Sequence, residues 1–373
     1  MATLRVPCVL SRRLAVAADV QLGLTGRGLC AEPRIQPGPR PSQQSQIKQN
    51  RQKQICLPAL KHFDEKYHQG LGELWDKARE VLLNPSSWQY AVLLNRFCPS
   101  ELLEKHLQSQ KYYNFLQIAL PFLQHSLRCY ISRTQCRYPK QRHQNERLKQ
   151  YYLLNAASLL PVLALGIQDG ECVLDMCAAP GGKSVAILQC STPGHLLCNE
   201  PDNLRYKWLQ QTLDSFVPED VKRSIISVTQ RDGRYFGSHL PEMYDKVLVD
   251  APCSNDRSWL FSSDLFQTCT RIAHRPKLPT LQRQLLRSGV NALRPGGSLV
   301  YSTCTLSHAE NDDVVSSLLN SCDNIQAVDL TELSCALSHD FTFAKGIQHG
   351  LLIVPERSKT WGPLYVSKLC KLH

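Results

Sequence analysis

The sequence lacks the cysteine spacing of a disulfide framework or of a zinc site. Its sixteen cysteines include no C-x-x-C pair, and no hydrophobic signal peptide precedes them. We therefore expect reduced thiols in the cytosol, the nucleus or the mitochondrial matrix, where disulfides are rare. Because metal-ligand spacing is also missing, no bound metal is expected.

The sequence also lacks an apolar run long enough to cross a membrane. The most apolar stretch, residues 153–165, is interrupted by Asn155, Ser158 and Pro161. It falls short of the roughly 20 residues that a spanning helix needs. We expect a soluble protein with no membrane partner, and its 373 residues are enough for two domains.

Acidic residues are scarce in the first forty positions, where only Asp19 and Glu32 oppose six arginines. An arginine-rich, acid-poor segment with leucine and valine between the arginines is typical of an amphipathic transit peptide. Residues 34–54 are rich in proline and glutamine and cannot bury enough apolar surface to fold. Residues 1–55 are thus predicted to be a transit peptide and a disordered linker, which places the protein in the mitochondrial matrix. The alternative is a basic tail that only assists nucleic-acid binding.

Positive charge is concentrated in one later stretch of a chain whose net charge is +11. Between Arg128 and Lys149 seven cations face a single acid, and four tyrosines lie in or just beyond this run: Tyr130, Tyr138, Tyr151 and Tyr152. Cations neutralise phosphates and tyrosines stack on unpaired bases, so this stretch is the candidate RNA surface. A solvated face is the alternative.

Apolar residues recur at helical spacing between Leu60 and Leu82, which predicts one or two amphipathic helices. Residues 56–150 are therefore predicted to form a smaller, mostly helical RNA-binding region. The apolar stretch 153–165 would be the helix that docks this region on the next domain.

Residues 151–373 alternate strand and helix patterns, which predicts an α/β fold: an open, Rossmann-like sheet with helices on both faces. Strands are expected at 172–176, 195–200, 225–229, 246–250 and 298–303. The tail is expected to add an edge hairpin from 350–354 and 364–369. Ser307 and Glu310 match the S-x-x-E capping box of a following helix.

A glycine loop follows the first of these strands, in the stretch C-V-L-D-M-C-A-A-P-G-G-K-S from Cys172 to Ser184. Glycine lets the backbone approach a ligand, and the first N–H groups of the next helix have no intrahelical partner. The loop is neither G-x-G-x-x-G nor G-x-x-x-x-G-K-[ST], so a dinucleotide or a triphosphate is not the expected ligand. An ordinary turn between strand and helix is the alternative.

Acids follow three further strands at the same edge of the sheet: Glu200, Asp232 and Asp250. Glu200 lies about twenty residues beyond the glycine loop, the spacing at which a carboxylate accepts hydrogen bonds from ribose hydroxyls. Asp232 could hold an adenine amino group. Taken singly, each is as readily a loop acid or a helix cap. Together they predict an adenosine-containing cofactor, and the missing phosphate signature favours S-adenosyl-L-methionine.

Two strand ends carry a cysteine, Cys253 in D-A-P-C-S and Cys304 in Y-S-T-C-T. A cysteine in such a position is usually a small buried apolar residue. Two cysteines that face one cleft beside Asp250 indicate chemistry instead, because the thiolate is the reactive form and a cation such as Lys183 favours it. These residues alone do not choose between the two cysteines.

Three blocks, 175–183, 250–254 and 301–305, resemble in order and spacing the signature motifs of the Sun (NSUN) family of RNA cytosine-5 methyltransferases. The resemblance covers residues 56–373. Within the family, 151–158 and 250–261 resemble the mitochondrial branch that modifies a methionine tRNA, so the wobble cytosine of that tRNA is the implied target. No separate RNA-binding appendix of the kind that some relatives carry is seen, and we expect a monomer.

The resemblance implies roles for individual residues. The positions that match the cofactor-binding pattern are Cys177, Ala178, Ala179, Pro180, Gly181, Gly182, Lys183, Glu200, Arg205, Asp232, Gly233 and Asp250. Cys304 matches the nucleophile, whose addition to C6 of cytosine makes an enamine that attacks the methyl sulfonium. Cys253 matches the residue that assists product release. Asp250, protonated or sharing a proton, would hydrogen-bond N3, and Lys183 would bridge the loop and the active site. The base has to be flipped out or unpaired, as in a tRNA loop.

Three alternatives stand beside this interpretation. Cys253 is the rival nucleophile, because DNA cytosine-5 enzymes use the Pro-Cys of the corresponding block. A catalytically silent RNA-binding or assembly factor would keep the fold, but it has no need of both cysteines with Asp250 and Lys183. Amino-group methylation is disfavoured, since it expects a D-P-P-Y block where this sequence has D-A-P-C.

Overall fold

Three helices and a four-stranded antiparallel sheet come first in the chain. The computed structural model describes residues 54–116, 127–134, 137–142 and 147–372. The first elements are α1 (Leu57–Leu71), α2 (Glu73–Leu82), β1 (Ala91–Leu94), α3 (Glu101–Ser109), β2 (Tyr112–Asn114), β3 (Cys129–Ser132) and β4 (Tyr151–Leu154). The strand order is β2-β3-β1-β4. The predicted transit peptide and linker lie outside the described residues, apart from the last two positions of 1–55.

The sheet is an addition to the predicted, mostly helical first region, in which helices cover more of the described residues than strands do. Its strands have only three or four residues, too few for a period of two to stand out. The boundary predicted after residue 150 is wrong, because β4 pairs with β1 from Ala91 opposite Leu154 to Leu94 opposite Tyr151. Residues 55–373 instead form one compact unit.

The second part of the chain builds an eight-stranded sheet. Its elements are α4 (Leu160–Leu165), β5 (Cys172–Asp175), α5 (Gly182–Cys190), β6 (His195–Asn199), α6 (Asn203–Phe216), α7 (Glu219–Ile225), β7 (Ile226–Thr229), α8 (Phe236–His239), β8 (Tyr244–Asp250), α9 (Asp256–Trp259), α10 (Leu265–His274), α11 (Leu278–Ala292), β9 (Leu293–Thr303), α12 (Asp312–Leu319), β10 (Ile325–Val328), α13 (Thr331–Leu337), β11 (Leu351–Ile353) and β12 (Leu364–Lys371). The order is β10-β12-β9-β8-β5-β6-β7, with β11 paired to β12. The strands β7, β6, β5, β8 and β9 are parallel, which confirms the predicted Rossmann-like α/β fold.

Successive residues of the central strands face two different cores. Val173 and Leu248 pack with residues of α4, α5 and α6, whereas Leu174 and Val247 pack with residues of α11 and α12. A strand turns successive side chains to opposite faces of its sheet. Helices therefore cover both faces, and the strands read as continuous apolar runs.

The strand order reverses beside β5. The chain goes from β5 to β6 and β7 on one side and returns to β8 on the other. Open parallel sheets bind ligands at this point, beyond the carboxyl ends of the strands. The glycine loop after β5 and the D-A-P-C-S block after β8 both begin there.

Two predictions about short elements need correction. Residues 153–165 are not one helix, because β4 ends at Leu154 and a 3-10 turn, Ala156–Leu159, precedes α4. The hairpin of β11 and β12 forms as predicted. Its second strand is not an edge, however, since β12 lies between β9 and the unpredicted strand β10.

The predicted capping box is wrong. A 3-10 turn, His308–Glu310, separates Ser307 from α12, and Ser307 makes no side-chain cap hydrogen bond. Glu310 is 1% exposed and points into the protein. The S-x-x-E spacing is therefore coincidental here, and Glu310 has another role.

The tyrosines of the basic stretch are mostly core residues. Tyr130, Tyr138 and Tyr151 are buried in a small apolar cluster with residues of β1 and α3. Base stacking by these three rings, predicted from the sequence, is wrong, because the rings pack in the core instead. Tyr152 is partly exposed.

Several further features concern the described residues alone. The thirteen cysteines among them are free thiols. No helix in these ranges is both long and apolar enough to cross a membrane. Within the same ranges no group of three or more His, Cys, Asp or Glu side chains could hold a metal ion.

We expect a fragment of residues 151–373 not to fold independently. It would lose the partner of β4 and also the buried Phe63 and Trp75, which belong to the core on the α11 face of the sheet. The apolar surface left exposed would favour aggregation. Thermal unfolding followed by circular dichroism checks this, with residues 55–373 as the control. Cooperative unfolding of both fragments at the same temperature would contradict the expectation.

Candidate active site

Cys253 and Cys304 meet beyond the ends of β8 and β9. Their Sγ atoms are 3.3 Å apart, and the backbone N–H of Cys304 donates to Cys253 Sγ over 3.3 Å. The hydrogen bond with Cys304 and burial raise the pKa of Cys253 well above its usual range. Cys253 therefore keeps its proton at neutral pH.

Lys183 and Asp250 form an ion pair beside these thiols. Lys183 Nζ lies 2.6 Å from Asp250 Oδ2, and Ser302 Oγ donates to Asp250 Oδ1 over 2.8 Å. Burial lowers the pKa of Lys183, but the Asp250 charge and hydrogen bond outweigh it, and the charge of Cys304 adds to the rise. The net shift is upward, so the ammonium stays charged. The structure thus brings together Lys183 and Asp250, two of the site residues predicted from the sequence.

Arg257 is a second, partly buried cation that the motif spacing did not indicate. Its guanidinium lies 4.7 Å from the ring centroid of Trp88 and donates to the carbonyl of Thr360. Burial lowers the pKa of Arg257 to about 10, while Tyr90 and Cys304 act in the opposite direction. Lys183 and Arg257 thus both couple electrostatically to Cys304, and nearby cations favour a thiolate.

A buried carboxylate ties the two cysteine loops together. Ser254 and Thr305, which directly follow the two cysteines, are 2.8 Å apart at their hydroxyl oxygens. Glu310 accepts a hydrogen bond from Ser254 N over 2.9 Å and another from Ser254 Oγ over 2.7 Å. Each loop is therefore held one residue beyond its thiol.

The same carboxylate is linked to α11 and to the turn before it. Arg275 Nε lies 3.2 Å from Glu310 Oε1, and Gln282 Nε2 donates both to Glu310 and to the carbonyl of Pro252. All of these side chains are more than 90% buried. Buried ions persist only when their hydrogen bonds are satisfied, so this network defines one arrangement of the loops.

A second arm of the network reaches α1. Arg275 donates to the hydroxyl of Tyr67 over 2.7 Å, and Tyr67 donates to Asp256 over 2.9 Å. Asp256 also accepts from Thr305 Oγ1 and from the backbone N–H of Leu306. Burial raises the pKa of Asp256 to about 6. The first region of the chain thus contributes directly to the position of the Cys304 loop.

The glycine loop has two positions where a side chain would not fit well. Gly181 has φ +106°, a backbone conformation that L side chains rarely adopt. A Cβ there would lie 3.0 Å from Thr212, and a Cβ at Gly182 would lie 3.0 Å from the ring of Tyr152. Beside them Cys177, Ala178 and Ala179 are buried and Pro180 is exposed. Burial raises the pKa of Cys177 well above its usual range, so this thiol is protonated.

Glu200 offers an unsatisfied acceptor next to this loop. It is 1% exposed, and its Oε2 has no hydrogen-bond partner although Arg205 Nη2 lies 3.3 Å away. Burial raises the pKa of Glu200. A buried polar atom without a partner is costly, and ribose hydroxyls are donors that would satisfy it. The residues therefore fit an adenosine-containing ligand. Arg205 also donates to the carbonyl of Ala179 over 2.8 Å.

Asp232 and Gly233 lie farther along the same edge. Arg234 binds Asp232 at 2.6 Å, and Asp232 accepts the N–H of Arg234, so it caps the turn that starts at Gly233. A cavity of about 390 Å³ adjoins it, lined by Arg231, Asp232, Tyr235 and His239. Gly233 itself is packed so closely that a Cβ would lie 2.8 Å from Leu285. An adenine contact of Asp232 stays a prediction.

The chain is similar in sequence to RNA methyltransferases. Residues 162–370 match the family model described as 16S rRNA methyltransferase RsmB/F. The chain is 56% identical to the Mus musculus protein named mitochondrial tRNA (cytosine(34)-C(5))-methyltransferase, over 86% of this chain and 92% of that protein. It is 38% identical to the Bos taurus 5-cytosine rRNA methyltransferase NSUN4, over 84% of this chain and 88% of that one.

Solved structures agree on the fold. NSun6 from Pyrococcus horikoshii, solved with SFG, matches with a TM-score of 0.63 and 17% identity over 84% of this chain and 98% of that chain. A methyltransferase homologue from the same organism matches with a TM-score of 0.55 and 21% identity, over 85% of this chain and 100% of that chain.

We expect Glu310→Ala to destabilise the protein by about 3–5 kcal/mol, because it leaves the Arg275 charge buried without its carboxylate partner. Glu310→Gln keeps the volume and should cost less. Chemical denaturation with urea measures both, and Glu65→Ala, an exposed change on α1, is the control. A loss below about 1 kcal/mol for Glu310→Ala, similar to that of a surface change, would show that the network is dispensable.

Proposed function

Because the chain belongs to the RsmB/F (Sun) family of RNA cytosine-5 methyltransferases, we propose that it methylates C5 of a cytosine in a mitochondrial tRNA through a covalent adduct with Cys304. The resemblance of the three sequence blocks to this family is confirmed by the family match and by the relatives. The relatives named for tRNA cytosine 34 support a cytosine at position 34 of a tRNA as the target. The resemblance of residues 151–158 and 250–261 to the mitochondrial branch implies that this is the wobble cytosine of methionine tRNA.

The observation that carries the proposal is the contact of the two thiols. Cys253 and Cys304 come within 3.3 Å of each other, beside an ion pair of 2.6 Å between Lys183 and Asp250. A protein that only binds RNA needs neither contact. A reaction that first adds a thiolate to a base and later removes it needs both.

Cys304 is the proposed nucleophile because it matches the cysteine that has this role in the family pattern. Lys183 and Arg257 couple to it electrostatically, and Cys253 holds a proton that it can donate towards Cys304 Sγ. The thiolate adds to C6 of cytosine and forms a C–S bond. The electron pair of the C5–C6 double bond moves into the ring and makes C5 nucleophilic.

Asp250 and Lys183 would stabilise the ring in this state. Charge develops at N3 when the thiolate adds to C6, and a donor aimed at N3 lowers the barrier. The proton shared by Lys183 Nζ and Asp250 Oδ2 is the one that could be donated to N3. Ser302 orients the carboxylate.

S-adenosyl-L-methionine is the cofactor of the family, and it supplies the electrophilic methyl group. The glycine loop from Cys177 to Lys183 would hold it together with Glu200, Arg205, Asp232, Gly233 and Asp250. The unsatisfied Oε2 of buried Glu200 supports the ribose contact.

Release needs a further proton transfer. After methylation C5 carries both a proton and the new methyl group. Solvent water accepts this proton, the C5–C6 double bond re-forms, and the C6–S bond breaks so that Cys304 leaves as a thiolate. Cys253 is in contact with Cys304 and is the proposed assistant of this step.

The first region would contribute to the RNA surface, and the protein would act in the mitochondrial matrix. Arg137 is exposed and lies over the ring of Tyr90 at 4.1 Å, and Arg142 and Arg147 are also exposed. Cations of this kind neutralise phosphates without reading sequence. Mitochondrial relatives and the arginine-rich residues 1–55 support the location. We propose a monomer as the active form.

We expect one cytosine in mitochondrial tRNA to lose protection from bisulfite conversion when the protein is absent. Bisulfite sequencing of mitochondrial and cytosolic tRNAs from cells with and without the protein measures this, and a Cys304→Ala variant is the control for rescue. If every cytosine is converted equally in both samples, the chain is an RNA-binding or assembly factor that lacks this activity.

We expect the two cysteine variants to differ in covalent RNA adduct. Cys304→Ala should form none, because the nucleophile is missing, whereas Cys253→Ala should accumulate adduct, because release is slowed. Denaturing gels of enzyme incubated with target RNA and S-adenosyl-L-methionine separate the two outcomes. An adduct in Cys304→Ala would reverse the assignment, and no adduct in Cys253→Ala under conditions of parental turnover would refute its release role.

A further inference from the structure

A groove beside the glycine loop has no part in the chemistry described so far. Its volume is about 730 Å³, and it lies between β4 with the segment before it and the face of α6. Tyr152 belongs to both places, because it lines the groove and its ring lies 3.0 Å from where a Cβ at Gly182 would be. One end of the groove therefore reaches the loop that leads into Lys183.

An exposed tryptophan stands at this groove. Trp208 is 47% exposed, whereas Trp75, Trp259 and Trp361 are buried and Trp88 is half-buried. Leu204, one turn earlier on α6, is also exposed. A large flat ring left open to solvent on the wall of a groove is a stacking surface for another planar group.

Charge in the groove is positive. Lys140 and Lys149 line it, and Lys149 Nζ lies 5.7 Å from the ring centroid of Phe216. Asp214 is the one acid among the described lining residues, and Lys222 binds it at 2.5 Å. Protein interfaces are depleted of lysine at their centre, whereas single-stranded nucleic acid is bound by cations next to aromatic rings.

We propose that this groove binds the single-stranded RNA segment next to the target cytosine, with one base stacked on Trp208 and phosphates on Lys140 and Lys149. The inference rests on the proposed function, since the strand has to continue past Tyr152 to the active site. Stacking combined with phosphate contacts tolerates many sequences. The groove would thus set affinity, and the thiols would set which atom reacts.

Steady-state kinetics test the groove with a synthetic anticodon stem-loop of mitochondrial methionine tRNA. Trp208→Ala should raise KM for this RNA roughly five- to a hundredfold, the range found when a stacked aromatic ring is removed. Trp208→Phe should keep most of the affinity, because it keeps a flat ring. Phe266→Ala, which removes a ring that is 85% exposed on α10, should leave KM unchanged.

The dependence of RNA binding on salt concentration distinguishes the contribution of the two lysines from that of the Trp208 ring. Lys140→Gln and Lys149→Gln should each lower the slope of log K against log salt by about one. Trp208→Ala should weaken binding without changing this slope. Trp208 is also the most exposed of the five tryptophans, so the RNA should protect it from quenching of its fluorescence by acrylamide.

The outcomes distinguish a failure of the groove proposal from a failure of the proposed function. Two results would refute the groove proposal alone, provided that the parent enzyme methylates the stem-loop. One is a parental KM for Trp208→Ala, and the other is that RNA does not protect Trp208 from acrylamide. A near-parental KM for Trp208→Phe together with a raised KM for Trp208→Ala supports RNA binding in the groove. A parent enzyme that methylates no RNA refutes the proposed function itself.

Discussion

The carboxylate of Glu310 is the constraint on which the active-site geometry depends. It accepts two hydrogen bonds from Ser254, and Ser254 is hydrogen-bonded to Thr305, so the residues that follow Cys253 and Cys304 are held together. Both loops are irregular backbone and would otherwise move apart. Because Arg275 balances the buried charge, the thiols remain at 3.3 Å without a covalent bond between them. A contact of this kind suits two thiols that act in succession on one base.

The topology of the sheet explains how residues from distant parts of the sequence meet in the active site. The strands β8 and β9 are parallel neighbours, with Asp250 opposite Ser302 in register, so the loops that follow them emerge side by side. The neighbouring β5 brings Lys183 to Asp250 through the glycine loop. The first region is part of the same arrangement, because Tyr67 of α1 bonds to Asp256 and Thr305. Catalytic sheet and first region therefore form one unit, in agreement with the pairing of β4 with β1.

Local patterns in the sequence were enough for part of this structure. The five parallel strands, the glycine loop, Asp250 and both cysteines could be placed because buried strands are continuous apolar runs and their ends share one edge. The role of Glu310 could not be predicted, because its S-x-x-E spacing is that of a helix cap. Its partners Ser254 and Arg275 are distant in sequence and become apparent only in the fold. The prediction for Tyr130, Tyr138 and Tyr151 is wrong for a similar reason: a stretch with this charge and aromatic content can belong to a core or to an RNA surface. Arg257 lies within residues 250–261, whose resemblance to the mitochondrial branch did not single it out.

The most direct test of the account identifies which sulfur is bonded to the base. The parent enzyme is incubated with S-adenosyl-L-methionine and a methionine tRNA stem-loop that carries 5-fluorocytidine at the wobble position. Fluorine at C5 cannot leave as a proton does, so elimination is blocked and the adduct persists. After digestion with protease and nuclease, mass spectrometry of the peptides locates the attached nucleotide. The account predicts attachment to Cys304 with Cys253 unmodified, and attachment to Cys253 would contradict it.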